Sequence, residues 1–124
     1  MKTNAGTNTH LSERAVLHDI LLAIGNRPDL RVWRNNTGQI PTPDGRVIRF
    51  GLPGSADILG IMKPTGRFLA IECKTDVGHQ SDKQKHFQAM IETHGGLYIL
   101  ARSVTDVLSR LPEPSSRPPQ GEYL

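Results

Sequence analysis

One cysteine in 124 residues, Cys73, is too few for an internal disulfide framework or a four-thiolate zinc site, and a reducing cytosolic compartment is the expected setting. Long apolar runs are missing too. Nothing approaches ~18 consecutive apolar residues, and the opening MKTNAGTNTH lacks the apolar stretch of a secretion signal, so a soluble cytoplasmic protein without a membrane partner is expected. The five histidines, His10, His18, His79, His86 and His94, have no metal-ligand spacing of the H-E-x-x-H kind. Gly51, Pro53 and Gly54 come without G-x-G-x-x-G or a Walker lysine, which argues against nucleotide hydrolysis. Aromatics are scarce at 5%, and the single tryptophan, Trp33, is expected to pack in the core.

What is present suffices for one domain: 36% apolar residues, and 22% charged residues that read as globular rather than disordered. Fifteen Lys and Arg against twelve Asp and Glu give a formal charge of +3 and a pI near 9.4, a mild bias toward a polyanionic partner. The bias is concentrated. Arg31, Arg34, Arg46, Arg49, Lys63 and Arg67 share their stretch with only Asp44 and Asp57.

Apolar spacing from Leu11 predicts a helix over about 12–24, with Ser12 as N-cap, Glu13 in the first turn, and Gly25 and Pro28 stopping it. Strands are expected at 30–34 and 46–50, separated by a loop from Gln39 to Gly45. Two apolar runs, 56–62 and 67–74, flank Lys63-Pro64-Thr65-Gly66 and predict a central hairpin covered on both faces, closed by a type I turn. A second helix at 81–94 capped by Ser81, a buried strand at 97–101 and a short helix at 104–111 capped by Ser103 follow. The order α-β-β-β-β-α-β-α gives an α/β (α+β-like) sandwich with one crossover. The folded domain is placed at 12–111, between a flexible N-terminus, 1–11, and a Pro/Ser-rich disordered tail, 112–124.

Asp57, Glu72 and Lys74 are out of place in a hairpin interior, since each buried charge costs several kcal/mol. Glu72 and Lys74 share a face, and Asp57 lies about as far before the turn as Glu72 lies after it. Paired register would set the two carboxylates ~5 Å apart, where they repel unless a cation intervenes; oxygen ligands of this kind suit Mg²⁺ or Mn²⁺. An Asp–Lys or Glu–Lys salt bridge without metal is the alternative. The side chain of Cys73, between Glu72 and Lys74, is expected to point into the core, which argues against a thiol nucleophile. Arg34, Asn35, Arg46 and Arg49 are candidate DNA contacts.

Gly54-Ser55-Ala56-Asp57 followed by Glu72-Cys73-Lys74 resembles the PD-(D/E)xK nuclease signature, and the run from Arg49 to Asp57, Gln84, Gly95-Gly96 and Ala101-Arg102-Ser103 resemble the VRR-NUC branch, in particular its small stand-alone members from phage and bacteria. The resemblance implies a restriction-endonuclease-like core, a central mixed sheet flanked by helices. It implies metal ligation by Asp57, Glu72 and the backbone carbonyl of Cys73, water activation by Lys74, and support from Gln84. It also implies an acid on the first helix, matched best by Asp19, directly or through a water, with Glu13 as second choice. Ala56 stands where the family has proline, and Asp19 where it has glutamate. The expected activity is a Mg²⁺- or Mn²⁺-dependent DNA endonuclease (endodeoxyribonuclease), structure-selective for branched DNA like a Holliday-junction resolvase and homodimeric, because symmetric cutting of two strands needs two sites related by a two-fold axis. The alternative is a non-catalytic nucleic-acid-binding or assembly module that keeps the nuclease fold.

Overall fold

A computed structural model describes residues 11–113; most of the expected tail and of the expected N-terminal stretch lies outside them. The elements are α1 (Glu13–Ile24), β1 (Leu30–Arg34), β2 (Gly38–Pro41), β3 (Val47–Phe50), β4 (Ile58–Met62), β5 (Arg67–Cys73), α2 (Asp82–Thr93), β6 (Leu97–Ala101) and α3 (Val104–Arg110). Four strands form a mixed sheet in the order β1-β4-β5-β6, antiparallel except for the β5–β6 pair, which α2 connects by a crossover.

The alternation of side chains divides the core in two. Ile58 and Met62 of β4, Leu69, Ile71 and Cys73 of β5, and Ile99 and Ala101 of β6 meet Val16, Leu17, Ile20 and Ile24 of α1 and Val107 of α3. On the opposite face a smaller cluster, Ala56, Ala70, Phe87, Ile91 and Tyr98, packs under α2, with the Phe87 and Tyr98 rings edge to face at 6.4 Å. Cys73 is buried in the first cluster as expected, and burial raises its thiol well above the ordinary range.

Helix boundaries follow their caps. Ser12 accepts from the Ala15 amide, Ser103 from the Asp106 amide, and Ser81 from the Gln84 amide, while the Gln84 side chain accepts from the Ser81 amide in return. Gly95 (φ +90°) turns the chain out of α2 into β6.

Three expectations change. Gly38–Pro41, read as part of a loop, pairs with β3 in a separate two-stranded sheet, Gly38 opposite Phe50 and Pro41 opposite Val47; the proline stands at the strand's end, where its missing N–H breaks no inner ladder bond. The order is therefore α-β-β-β-β-β-α-β-α. The β4–β5 turn is wider than type I, closed by the Gly66 amide donating to the Met62 carbonyl, with a cis Lys63–Pro64 peptide. Trp33 is not in the core. Nearly half exposed, it lies with the exposed Ile61 on the α2 face of the β1–β4 half of the sheet, so the hairpin expected to be covered on both sides is covered by α2 mainly over β5 and β6.

Candidate active site

The β4–β5 register pairs Ile58 with Ile71, and continuing it one residue sets Asp57 opposite Glu72. Asp57, Glu72 and Lys74 therefore share the α2 face, beyond the apolar cluster under the helix. Glu72 is 2% exposed and Lys74 8%. They are the only polar residues buried among those described.

Each carboxylate is held by a specific donor. The Cys73 amide donates to Asp57 Oδ2 at 2.8 Å, tying the first acid to the backbone of the second strand. Gln84 Nε2 donates to Glu72 Oε2 at 3.0 Å, and Lys74 Nζ is 3.9 Å from the same oxygen. The other oxygen, Glu72 Oε1, is buried without a hydrogen-bond partner. Burial, then repulsion from Asp57, push the Glu72 carboxyl up to about 8, with Lys74 opposing them. A buried carboxylate oxygen with no donor, beside a second carboxylate, suits a hard divalent cation: the donors present are oxygens, the cation would offset the repulsion, and Oε1 would gain a partner. Among the described residues no group of three or more His, Cys, Asp or Glu side chains is clustered to hold a metal, so the side-chain donors on this face are the Asp57–Glu72 pair.

The loop that presents Asp57 is held from three sides. Asn35 Nδ2 donates to Ser55 Oγ (2.7 Å) and to the Ala56 carbonyl (2.8 Å), and the Asn35 amide donates to the Asp57 carbonyl (2.8 Å). Gly54 (φ +82°) lies against the first turn of α2, where a Cβ would come within 2.6 Å of the Lys83 carbonyl oxygen, and Gly51 (φ +79°) lies as closely on Thr37. These glycines serve close packing of the loop. Asn35, a candidate DNA contact from the sequence, has its side-chain amide nitrogen committed to that loop.

The segment after Lys74 is pinned too. The Arg102 guanidinium donates to the Thr75 carbonyl and to the Gly78 carbonyl (2.9 Å for the latter), and Gln80 Nε2 donates to Gln88 and to the Tyr98 hydroxyl. Burial raises that hydroxyl to about 12, so it stays protonated. Nothing in the spacing of Arg102 and Gln80 along the sequence signals these roles.

Of the two helix acids, Glu13 is the one whose charge acts on Glu72 and on Cys73. Asp19 is exposed and stands about 120° around α1 from Glu13, off the face formed by Val16, Leu17, Ile20 and Ile24. Glu13 is exposed as well, so neither acid is buried with Glu72; of the two, Glu13 is on the packed face of the helix, since it precedes Val16, Leu17 and Ile20 by three, four and seven residues.

The cationic candidates scatter. Arg34 is exposed and, paired with Ile58, projects on the α1 side of the sheet, away from the acids. Arg46 sits at the far turn of the β2–β3 hairpin in an exposed ion pair with Asp44 (2.9 Å). Arg49 is exposed opposite Gln39, nearer the hairpin's base. His79 is exposed on the loop after β5. An open concavity of about 720 Å³, lined by Gly25, Arg27, Leu30, Met62, Lys63 and Pro64 among others, lies at the opposite ends of β1 and β4 from Asp57 and has no carboxylate in its wall.

The VRR-NUC domain matches residues 6–105, most of the chain and every residue of this site. The protein belongs to the VRR-NUC family. The mixed sheet flanked by helices is accordingly a nuclease fold, and the VRR-NUC assignment carries nuclease activity as its coarse functional implication. No curated protein and no solved structure matches the chain. Among the described residues no helix is long and apolar enough to cross a membrane.

Arg49 offers a direct check on how a VRR-NUC chain of this form meets DNA. If its guanidinium neutralises a phosphate, Arg49→Ala should weaken binding about equally on all sequences and lower the salt-dependence slope by about one. A filter-binding series across salt concentrations measures both quantities. Cleavage lost at unchanged affinity would move Arg49 into the chemistry instead.

Proposed function

We propose that the protein is a Mg²⁺- or Mn²⁺-dependent endodeoxyribonuclease, selective for branched DNA of the Holliday-junction kind and active as a homodimer. The observation that supports this most is the buried Glu72 facing a half-buried Asp57, with Glu72 Oε1 unpartnered and Lys74 alongside. In a module that only binds, these charges would cost stability for no return, because apolar residues of the same volume fold at least as well.

Asp57, Glu72 and the Cys73 carbonyl would hold the cation, which, when bound, supplies Lewis-acid polarisation of the phosphodiester and a water brought toward ionisation at neutral pH. The protein's own groups do the positioning. The Cys73 amide fixes one oxygen of Asp57 and leaves the other for a ligand; Gln84 fixes one oxygen of Glu72 and leaves Oε1. Lys74, not a ligand while protonated, directs its ammonium at the reacting phosphate and the attacking water, where negative charge grows. Among the described residues no recognition helix is evident for reading bases, which favours selection by DNA shape.

Metal-linked stability together with cleavage tests the proposal. Branched and linear DNA should be cut with Mg²⁺ or Mn²⁺, branched in preference, and neither should be cut in EDTA. At ~100 times its Kd, Mn²⁺ should stabilise the wild-type fold by about 2.7 kcal/mol, which corresponds to a rise in Tm on the order of 10 °C. Asp57→Ala should show little or no rise. Cleavage in EDTA, or equal shifts in both proteins, would refute a cation shared by Asp57 and Glu72.

A further inference from the structure

The β2–β3 hairpin stands apart from the main sheet and has two dissimilar faces. Register puts Gly38, Ile40, Ile48 and Phe50 on one face, and Gln39, Pro41, Val47 and Arg49 on the other. The first face has no charged residue, and its large side chains are open to solvent: Ile40 54%, Ile48 56% and Phe50 42% exposed. A lone two-stranded hairpin is marginally stable in water, and apolar residues over one whole face add the cost of exposed surface. A second surface with exposed apolar side chains lies on the main sheet, where Trp33 on the edge strand and Ile61 on β4, with Arg31 paired beside it, extend past the cover of α2.

We propose that these two surfaces pair between copies: in a two-fold dimer, the Ile40–Ile48–Phe50 face of each hairpin lies on the Trp33–Ile61 strip of the other copy. The proposal rests on the homodimer proposed above and supplies its interface. Area and charge both favour a second copy as the occupant. At ~150–250 Å² for a fully exposed large side chain, the hairpin face offers about 300 Å² of apolar surface, small for a stable interface on its own. With the strip each copy contributes about 500 Å² of apolar surface, and at the usual apolar share of an interface this corresponds to the ~800 Å² per partner of a standard complex. The hairpin face carries no charge, so it meets the strip and the Arg31 beside it without like-charge repulsion, and it has nothing to offer a phosphate backbone. The other hairpin face, with Arg49, remains free for DNA. One hairpin thus divides its two sides between assembly and substrate.

Sedimentation of the full chain without DNA or metal reads the proposal separately from any cleavage assay. The wild type should sediment at twice 13.7 kDa in the micromolar range. Ile48→Asp and Ile40→Asp, each on an exposed hairpin position, should sediment as monomers with unchanged far-UV circular dichroism. Trp33, the only tryptophan, reports on the receiving strip. Its emission should shift to shorter wavelength as the wild type is concentrated, and should stay at the solvent-exposed wavelength in both variants. Arg49→Ala should remain dimeric. A monomeric wild type overturns the proposal, as does a variant that remains dimeric. A dimer with concentration-independent Trp33 emission also overturns it, by placing the interface elsewhere. If the variants keep the dimer but lose affinity for branched DNA, the apolar face acts on unstacked bases instead. Inactive protein that still dimerises through the hairpin would refute the proposed nuclease function and leave this interface standing.

Discussion

Lys74→Ala is expected to slow DNA cleavage by roughly a hundred- to a thousand-fold in saturating Mg²⁺, the usual effect of removing one preorganised donor of ~3–4 kcal/mol from a developing anion. The residue is 8% exposed, and Nζ stands 3.9 Å from Glu72 Oε2, long for a charge-assisted hydrogen bond. Its ammonium is therefore not consumed by the acid beside it and has capacity for substrate. Truncation leaves both proposed carboxylate ligands and their donors, the Cys73 amide and Gln84, in place, so Mn²⁺ should still raise the Tm of the variant. Branched DNA should still bind and remain uncut. Lys74→Met, which keeps the length and apolar stem without the charge, should lose cleavage to the same extent and shows whether the loss comes from the cation or from a cavity. The measurement is a single-turnover cleavage rate in both variants, with differential scanning fluorimetry in Mn²⁺ alongside. Cleavage by Lys74→Ala at near wild-type rate would make this pair a structural salt bridge and restore the non-catalytic module.

Glu72→Gln should stabilise the metal-free protein at pH 8 while abolishing cleavage. The native carboxyl, held near 8 against an ordinary 4.5, favours the protonated form when folded. The folded chain then binds more protons than the unfolded chain between those values, so stability in EDTA falls as pH rises from about 4.5 to about 8 and is flat from this group on either side. A shift of this kind is worth up to several kcal/mol at alkaline pH. The neutral amide keeps an oxygen for Gln84 and removes the buried charge, so Glu72→Gln should lose this fall and melt several degrees above wild type at pH 8 in EDTA. Added Mn²⁺ should reverse the ranking, because only the carboxylate pair gains from the cation, and gains more as the proton leaves. Thermal melts from pH 4.5 to 8.5, with EDTA or Mn²⁺, separate the two regimes. A Glu72→Gln protein no more stable than wild type in EDTA at pH 8 would mean that the buried carboxyl carries no such penalty.

Much of the site was legible because two local rules reinforced each other. A hairpin whose arms are nearly symmetric about its turn places Asp57 against Glu72, and strand alternation assigns Glu72 and Lys74 to one face and Cys73 to the other. Ser81-x-x-Gln84 has the form of a capping box, so its helix start was visible as well. What escaped depended on distant parts of the chain. Trp33 has the composition of a core residue, but α2 does not extend over its strand, and that extent is set by tertiary packing. Gly38–Pro41 has a glycine and a proline at its ends and becomes a strand only because Val47–Phe50 returns beside it. Asn35 looked like a polar group at a strand end available to DNA; only the folded loop shows that Ser55 and Ala56 take its donors.

Gln84 belongs to two systems at once. Its Oε1 closes the first turn of α2 on the Ser81 amide, and its Nε2 holds Glu72. Nucleation of the helix and orientation of the acid are therefore a single cooperative event, and fraying at the start of α2 releases Glu72 from its donor in the same motion. The chain cannot exchange its second acid's orientation for a looser helix, or the reverse. Selection on either property acts on the other through one amide group, so drift in the solvent-facing residues of that first turn is constrained by how well they keep the cap closed.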